Sequence, residues 1–134
     1  MLISTRGRYA LRLLADLALN QGTEGYITTN EIAQRQEVSP KYAERLMSLL
    51  AKNDFVITKH GYGGGYRLKR SPEDCRISEI LTAMDEELVP VACLSCEPNQ
   101  CPRAKFCKTL PMWQKLGVII QDFFDGITLA DLIK

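Results

Sequence analysis

The 134-residue sequence is poor in the groups that enzymes use. It holds one histidine, His60, set in the glycine-rich stretch KHGYGGG with no carboxylate close by in the sequence. A general base needs a third group to orient it, so the sequence carries no catalytic set and reads as a non-enzyme with no small-molecule substrate. No stretch reaches the roughly eighteen uninterrupted apolar residues of a membrane span. The first twenty residues, MLISTRGRYALRLLADLALN, begin basic and then turn apolar, as a signal peptide does. Arg12 and Asp16 interrupt that run and no small-residue cleavage site follows, which argues against a leader. Internal repeats and low-complexity segments are also absent. The expectation is a single cytoplasmic globular domain, long enough to bury a core without cross-links.

What the chain does hold is unevenly placed. The net charge of +1 conceals 11 Lys/Arg against 6 Asp/Glu in residues 1–70, a balance of +5, and 6 against 10 in residues 71–134, a balance of −4. A basic half points to an anionic partner. Four of the five cysteines lie between residues 93 and 107. Thiols in the cytoplasm stay reduced, so such a cluster points to metal binding or redox sensing rather than to disulfides.

Ala10, Leu13, Leu14, Leu17 and Ala18 fall at helical spacing, and Leu11, Ala15 and Leu19 widen the face, predicting a first helix buried on most sides. Thr28 three residues before Glu31 is a capping-box start for a short second helix. Ser39 followed by Pro40 starts a third, with Ala43, Leu46, Met47 and Leu50 on its apolar face. FVIT and YRLK read as two short strands joined by KHGYGGG, whose four glycines in five residues suit a tight tip. Ile77, Ile80, Leu81 and Met84 predict a further amphipathic helix. Pro111 opens a long apolar helix running to Phe124, and Thr128 caps a last turn.

Two short helices followed by a two-stranded ribbon have the layout of a winged helix-turn-helix, in which a helix enters the major groove. Lys41, Arg45, Ser48 and Lys52 recur on one stripe of the third helix, with Tyr42 and Glu44 flanking it near the helix N-terminus. A glutamate there can accept from the amino group of cytosine. Lys59, His60, Tyr62 and Arg67 cluster about a glycine tip thin enough for a minor groove. Arg6, Arg8 and Arg35 are candidate phosphate contacts, which position the protein without reading sequence.

The thiols run Cys93-x2-Cys96-x4-Cys101-x5-Cys107. Thiolates are soft ligands that suit zinc or an iron–sulfur cluster. Only the first pair has the CxxC form of a zinc knuckle, and spacing alone leaves both open. A thiol oxidoreductase would want Cys93-Leu94-Ser95-Cys96 at a helix N-terminus, and the flanking prolines give no such setting.

The stretches STRGRYALRLLADLAL, EIAQRQEVSPKYAERL, GYGGGYRL and WQKL…ITLADLI, in that order and spacing, resemble the Rrf-type winged-helix regulators, the IscR, CymR and NsrR group. The cysteines make the pattern most similar to the IscR-like members. The resemblance implies a mainly helical fold with a small β-ribbon. Residues 1–72 would be a winged helix-turn-helix region, with its wing at about 55–69. Residues 73–134 would hold a sensor segment at 93–107 and a dimerisation helix at 111–125, in one compact unit with the first. It implies a cytoplasmic homodimer on a pseudo-palindromic operator in double-stranded DNA, with Trp113, Leu116, Ile119, Ile120, Phe123 and Phe124 at the dimer contact. Ser39, Tyr42, Glu44 and Arg45 match its base-reading positions, and His60, Gly61, Tyr62, Gly63, Gly64 and Tyr66 its wing. With Arg8, Lys41, Ser48, Lys52 and Lys59, these form the expected DNA-binding set. IscR-like members bind a [2Fe–2S] cluster through C-x5-C-x5-C and a histidine three residues on. Cys101-x5-Cys107 matches the last pair, whereas Ser95 stands at the first position and Leu110 at the histidine. The expected ligands are therefore Cys93, Cys96, Cys101 and Cys107, with Cys93 as the fourth. [2Fe–2S] is favoured over [4Fe–4S], with zinc or a cluster-free thiol sensor as the alternative and an iron–sulfur carrier less favoured. Cys75 lies apart and is expected to be structural or incidental.

Overall fold

A computed structural model of the chain describes residues 3–134. Ser4 starts α1 (Thr5–Asn20), its hydroxyl accepting from the Gly7 amide. Ala10, Leu13, Leu14 and Leu17 are buried along one face. The helix is not buried on most sides: Leu19 is 64% exposed, and Leu11 and Ala15 are half-buried. The core lies to one side of α1 and water to the other.

Thr28 caps α2 (Thr29–Gln36) by accepting from the Glu31 amide, and Glu37 leaves the helix in the left-handed conformation at φ 55°. Ser39 caps α3 (Pro40–Lys52) through the Tyr42 amide. The predicted face of α3 is the buried one: Ala43, Leu46, Met47 and Leu50.

β1 (Val56–Lys59) and β2 (Gly65–Leu68) pair antiparallel, Val56 opposite Leu68 and Thr58 opposite Tyr66. Each strand is displaced by one residue from its predicted start. Phe55 turns into the core and donates its amide to Leu50, so it belongs to the corner after α3. A third stretch joins the ribbon, where Ile27 and Tyr66 exchange amide–carbonyl bonds of 2.9 and 2.8 Å. Gly65 sits at φ +138°, and any Cβ there would strike the Ile27 carbonyl, so only glycine closes the wing against the start of α2.

After a 3₁₀ turn at Pro72–Asp74 come α4 (Ile77–Ala83), then an irregular stretch, α5 (Leu110–Asp125) and α6 (Leu129–Leu132). The Leu129 amide donates to the Cys75 carbonyl and the Ile77 amide to Ile127, which returns the C-terminal end to the base of α4. Thr128 and Asp131 form a reciprocal capping box on α6. Cys75, Ile80, Met84 and Leu129 share one hydrophobic core with Leu13, Met47 and Val56. Among the described residues, no helix is long and apolar enough to cross a membrane.

α5 lies at the edge of this core. Of the six side chains expected at a dimer contact, Ile120 and Phe124 pack against the chain's own core and Trp113 is half-buried. Leu116, Ile119 and Phe123 point outward, joined by Met112 and Val118.

Candidate nucleic-acid interface and thiol segment

Lys41, Glu44, Arg45, Ser48 and Lys52 are all exposed on α3. Among the described residues, Lys41, Arg45 and Lys52 take part in no salt bridge, so three cations share a stripe without an internal counter-charge. Ser39 is exposed at its head. Tyr42 is half-buried and meets Tyr9 of α1 edge-on, ring centroids 5.9 Å apart. The Arg12 guanidinium stands 4.7 Å above the Tyr9 ring. Arg8 is exposed, and its guanidinium donates to the Thr5 hydroxyl at 3.3 Å.

Glu44 is held from two sides. The Thr29 hydroxyl donates to its Oε2 at 2.6 Å, and the Tyr66 hydroxyl donates to its Oε1 at 2.8 Å. Tyr66, expected in the DNA-facing wing, is turned inward here. Only 6% of it is exposed, because it shares the inward face of β2 with Leu68, and its hydroxyl is turned to Glu44. Gly64 is likewise buried as a turn residue, with the Lys59 carbonyl where a side chain would be. Gly61 and Gly63 have positive φ and open space around them, and His60 and Tyr62 are exposed at the tip. The Lys59 ammonium lies 5.6 Å from the Tyr26 ring centroid. A shallow cleft of about 280 Å³ separates the wing from the head of α3, lined by Thr29, Glu44, Thr58, His60 and Tyr66 among others.

Three arginines expected near DNA are engaged elsewhere. Arg35 makes bonds of 2.6 to 3.2 Å to the buried carboxylate of Asp16, which raises its pKa further. Arg6 donates to the Met84 carbonyl at 2.9 Å and pairs with Asp85 at 3.6 Å. Arg67 donates to the carbonyls of Gly25 and Thr23.

The thiol segment begins with a 3₁₀ turn at Ala92–Leu94. Cys93, Cys101 and Cys107 are half-buried and Cys96 is exposed. The Cys107 Sγ lies 3.3 Å from the Thr109 hydroxyl. That hydroxyl, followed by the Thr109 and Leu110 amides at the start of α5, lowers the thiol's pKa and favours the thiolate that ligates metals. Ser95 donates to Glu87 Oε2 at 2.9 Å. Cys96 lines an open groove with Leu94, Gln114, Gly117 and Val118. Among the described residues, no three His, Cys, Asp or Glu side chains gather closely enough to hold a metal. The four thiols thus share a segment but not a point. As a donor set they suit a soft metal or cluster, on condition that ligation draws the segment together. Leu110 is a buried apolar side chain that anchors α5 and offers no ligand. Cys75 is fully buried beside the Ser71 carbonyl, and burial raises its pKa.

Sequence reasoning missed Thr29 and Tyr26, which touch the interface only through tertiary contacts. For Tyr66 a signal existed, since the period-two alternation that sends Leu68 inward sends Tyr66 inward too.

The profile of the Rrf2 family, described as iron-dependent transcriptional regulators, matches residues 3–134. The chain is 36% identical over 134 residues to the HTH-type transcriptional regulator IscR of Sodalis glossinidius, covering all of this chain and 79% of that protein. It is 35% identical to the protein rrf2 of Nitratidesulfovibrio vulgaris, covering all of this chain and 88% of that one. The structure of CymR (YrzC), the global cysteine regulator of B. subtilis, superposes with a TM-score of 0.82 at 30% identity, covering 99% of this chain and 96% of that one. T. potens IscR superposes with a TM-score of 0.77 at 32% identity, covering 99% and 86%. With a two-strand wing, a helix-turn-helix and a long C-terminal helix in the same order, the chain belongs to the Rrf2 family of transcriptional regulators, as a winged-helix member of the IscR/CymR type.

Proposed function

We propose that the protein is a cytoplasmic, non-enzymatic homodimer that binds a pseudo-palindromic operator, and that an iron–sulfur cluster on its thiol segment governs the binding. The observation that carries this is the unpaired stripe of Lys41, Arg45, Ser48 and Lys52 on α3 beside an exposed glycine wing tip. Residues 1–72 serve as the DNA-binding head and residues 73–134 as sensor and dimer contact. Arg8, Lys41, Lys52 and Lys59 meet phosphates. Ser39, Tyr42, Glu44, Arg45 and Ser48 face base edges from one recognition helix per half-site, and the tip from His60 to Gly63 approaches the minor groove.

Cys93, Cys96, Cys101 and Cys107 hold the cluster, with [2Fe–2S] favoured and Cys93 in the place that Leu110 cannot fill. Such a cluster, when bound, supplies sensitivity to oxygen, nitric oxide and iron supply. The chain's own part is to couple the segment to the head. Glu87 holds Ser95, while its neighbour Glu86 accepts from the Ser4 amide at 2.9 Å and so grips the start of α1. A change of order at residues 93–107 then biases the seating of α1 against α3.

Anaerobically purified protein should be brown, with visible absorption and matching iron and sulfide. Colourless protein with stoichiometric zinc would replace the cluster reading with the zinc one. Cys101→Ala and Cys107→Ala should each abolish cluster retention, and retention in either variant shows that the ligands are wrong. A gel shift on the protein's own upstream region should depend on iron loading; weak, sequence-independent binding in both states defeats the operator model.

A further inference from the structure

Glu44 is the only acid on the recognition helix, and both its oxygens are held from outside that helix. Thr29 Oγ1 donates to one at 2.6 Å and Tyr66 Oη to the other at 2.8 Å. Tyr66 is itself held in place: its ring is buried, and its amide and carbonyl are both bonded to Ile27. Its hydroxyl stays a donor, because burial and then the Glu44 carboxylate raise its pKa, outweighing the Ser48 and Thr58 hydroxyls that lower it. An unrestrained glutamate on an exposed helix samples many rotamers and swings away from an unfavourable base. Here the carboxylate is tied at once to the start of α2 and to the wing.

We propose that Tyr66 and Thr29 are positioning residues for sequence readout, locking Glu44 as a rigid acceptor that selects a base with an amino group at the contacted position, cytosine or adenine, and rejects guanine or thymine there. This deepens the operator-binding function and rests on it. The chemistry is direct. An ionised carboxylate only accepts, and each oxygen keeps a free lone-pair direction after one protein donor. Cytosine N4 or adenine N6 satisfies it in the major groove, whereas guanine O6 and N7 or thymine O4 meet it as like partial charges. Rejection requires that the carboxylate be unable to rotate away, and the two hydroxyls supply that restraint. They also tie readout to the wing, since Tyr66 carries Glu44 on its side chain and the wing-to-α2 pairing on its backbone.

The test is binding-site selection from a randomised duplex library with full-length, anaerobically purified protein, followed by affinities for all four base pairs at each half-site position. Glu44→Ala identifies the position that Glu44 governs. Tyr66→Phe keeps the buried ring and removes only the donor; Thr29→Val does the same on the other side. Each should lower discrimination at that one position by about tenfold, the scale of one good base contact. Selectivity at the remaining positions, the salt dependence of binding and the thermal unfolding midpoint should stay unchanged, since the loss is not one of folding or of phosphate contacts. Wild-type discrimination in both variants overturns the proposal while leaving operator binding intact, as does an equal loss at every position. If the wild-type protein selects no sequence, operator binding itself has failed, and the proposal with it.

Discussion

Asp16 is the only carboxylate on α1, and its side chain is 2% exposed. A buried charge persists only when paired and hydrogen-bonded. Arg35 provides two parallel N–H groups and Gln36 adds a third donor at 3.0 Å, which pins α2 to α1. The guanidinium keeps 38% of its side-chain surface in water, so water partly compensates when it is removed. Arg35→Met should lower the unfolding free energy by about 3 kcal/mol, the lower end for breaking such a pair, measured by urea denaturation. Arg35→Lys should not restore it, because an ammonium cannot form the parallel pair. The salt dependence of DNA binding should be unchanged in either variant. A reduced slope with normal stability would return Arg35 to the phosphate backbone. Cys75 makes a second residue-scale case. Burial raises its pKa, so the native state keeps the thiol proton to a higher pH than the unfolded chain does. The stabilisation is complete below the ordinary thiol pKa near 8.5 and is lost as pH rises through the raised value. Under reducing conditions, any stability advantage of the wild type over Cys75→Ser should therefore shrink as pH rises above about 8.5. A constant difference would show that the thiol does not titrate differently on folding.

At the scale of elements, what could be read in advance was what is decided within a few residues. Ser39 and Pro40, Thr28 with Glu31, and Thr128 with Asp131 mark helix starts by bonds that close within one turn. The fates of Leu19 and Arg35 could not be read the same way, because each depends on which element packs alongside. The connector after α4 is the clearest example. Nothing local announces that Glu86 will accept from the amide and hydroxyl of Ser4, 82 positions earlier. The approach relies on Gly7, where a Cβ would stand 2.6 Å from the Glu86 carboxylate. Asp85, at φ 62°, turns the chain into this grip, and Glu87 holds the thiol segment through Ser95. Glu86→Ala should cost about 1 kcal/mol, the scale of a lost N-terminal cap. Glu87→Ala touches an exposed bond and should change stability by no more than about 0.5 kcal/mol. Both should shrink the affinity difference between iron-loaded and iron-free protein for the operator, read by fluorescence anisotropy. If Glu87→Ala leaves that difference intact, the coupling runs by another route.

The whole molecule is organised by the two sides of α5. One side seats Ile120 and Phe124 on the chain's own core. The other exposes Met112, Leu116, Ile119 and Phe123, at i, i+4, i+7 and i+11, with Ile119 63% and Phe123 59% exposed. A continuous apolar stripe on a helix that already has a core-facing side is the surface through which the proposed homodimer would form, a second copy of the chain covering it with two-fold symmetry. The same symmetry would present two α3 helices to two half-sites. Operator affinity then depends on the second half-site being bound intramolecularly, at the high effective concentration that a rigid dimer provides. Ile119→Glu places a charge at the centre of the stripe without touching the core contacts of Ile120 and Phe124. It should yield a folded monomer by sedimentation equilibrium, with unchanged helical content. Its affinity for the full operator should fall by about 100-fold or more, while its affinity for an isolated half-site stays that of the wild type. Cys107 lies only three residues before Leu110, the first residue of α5, so the monomer also separates sensing from assembly. If it still takes up iron and sulfide, the segment is self-sufficient and α5 transmits its state; if it loses them, the dimer contact is part of the ligand site. A dimeric Ile119→Glu protein would remove this stripe from the interface altogether.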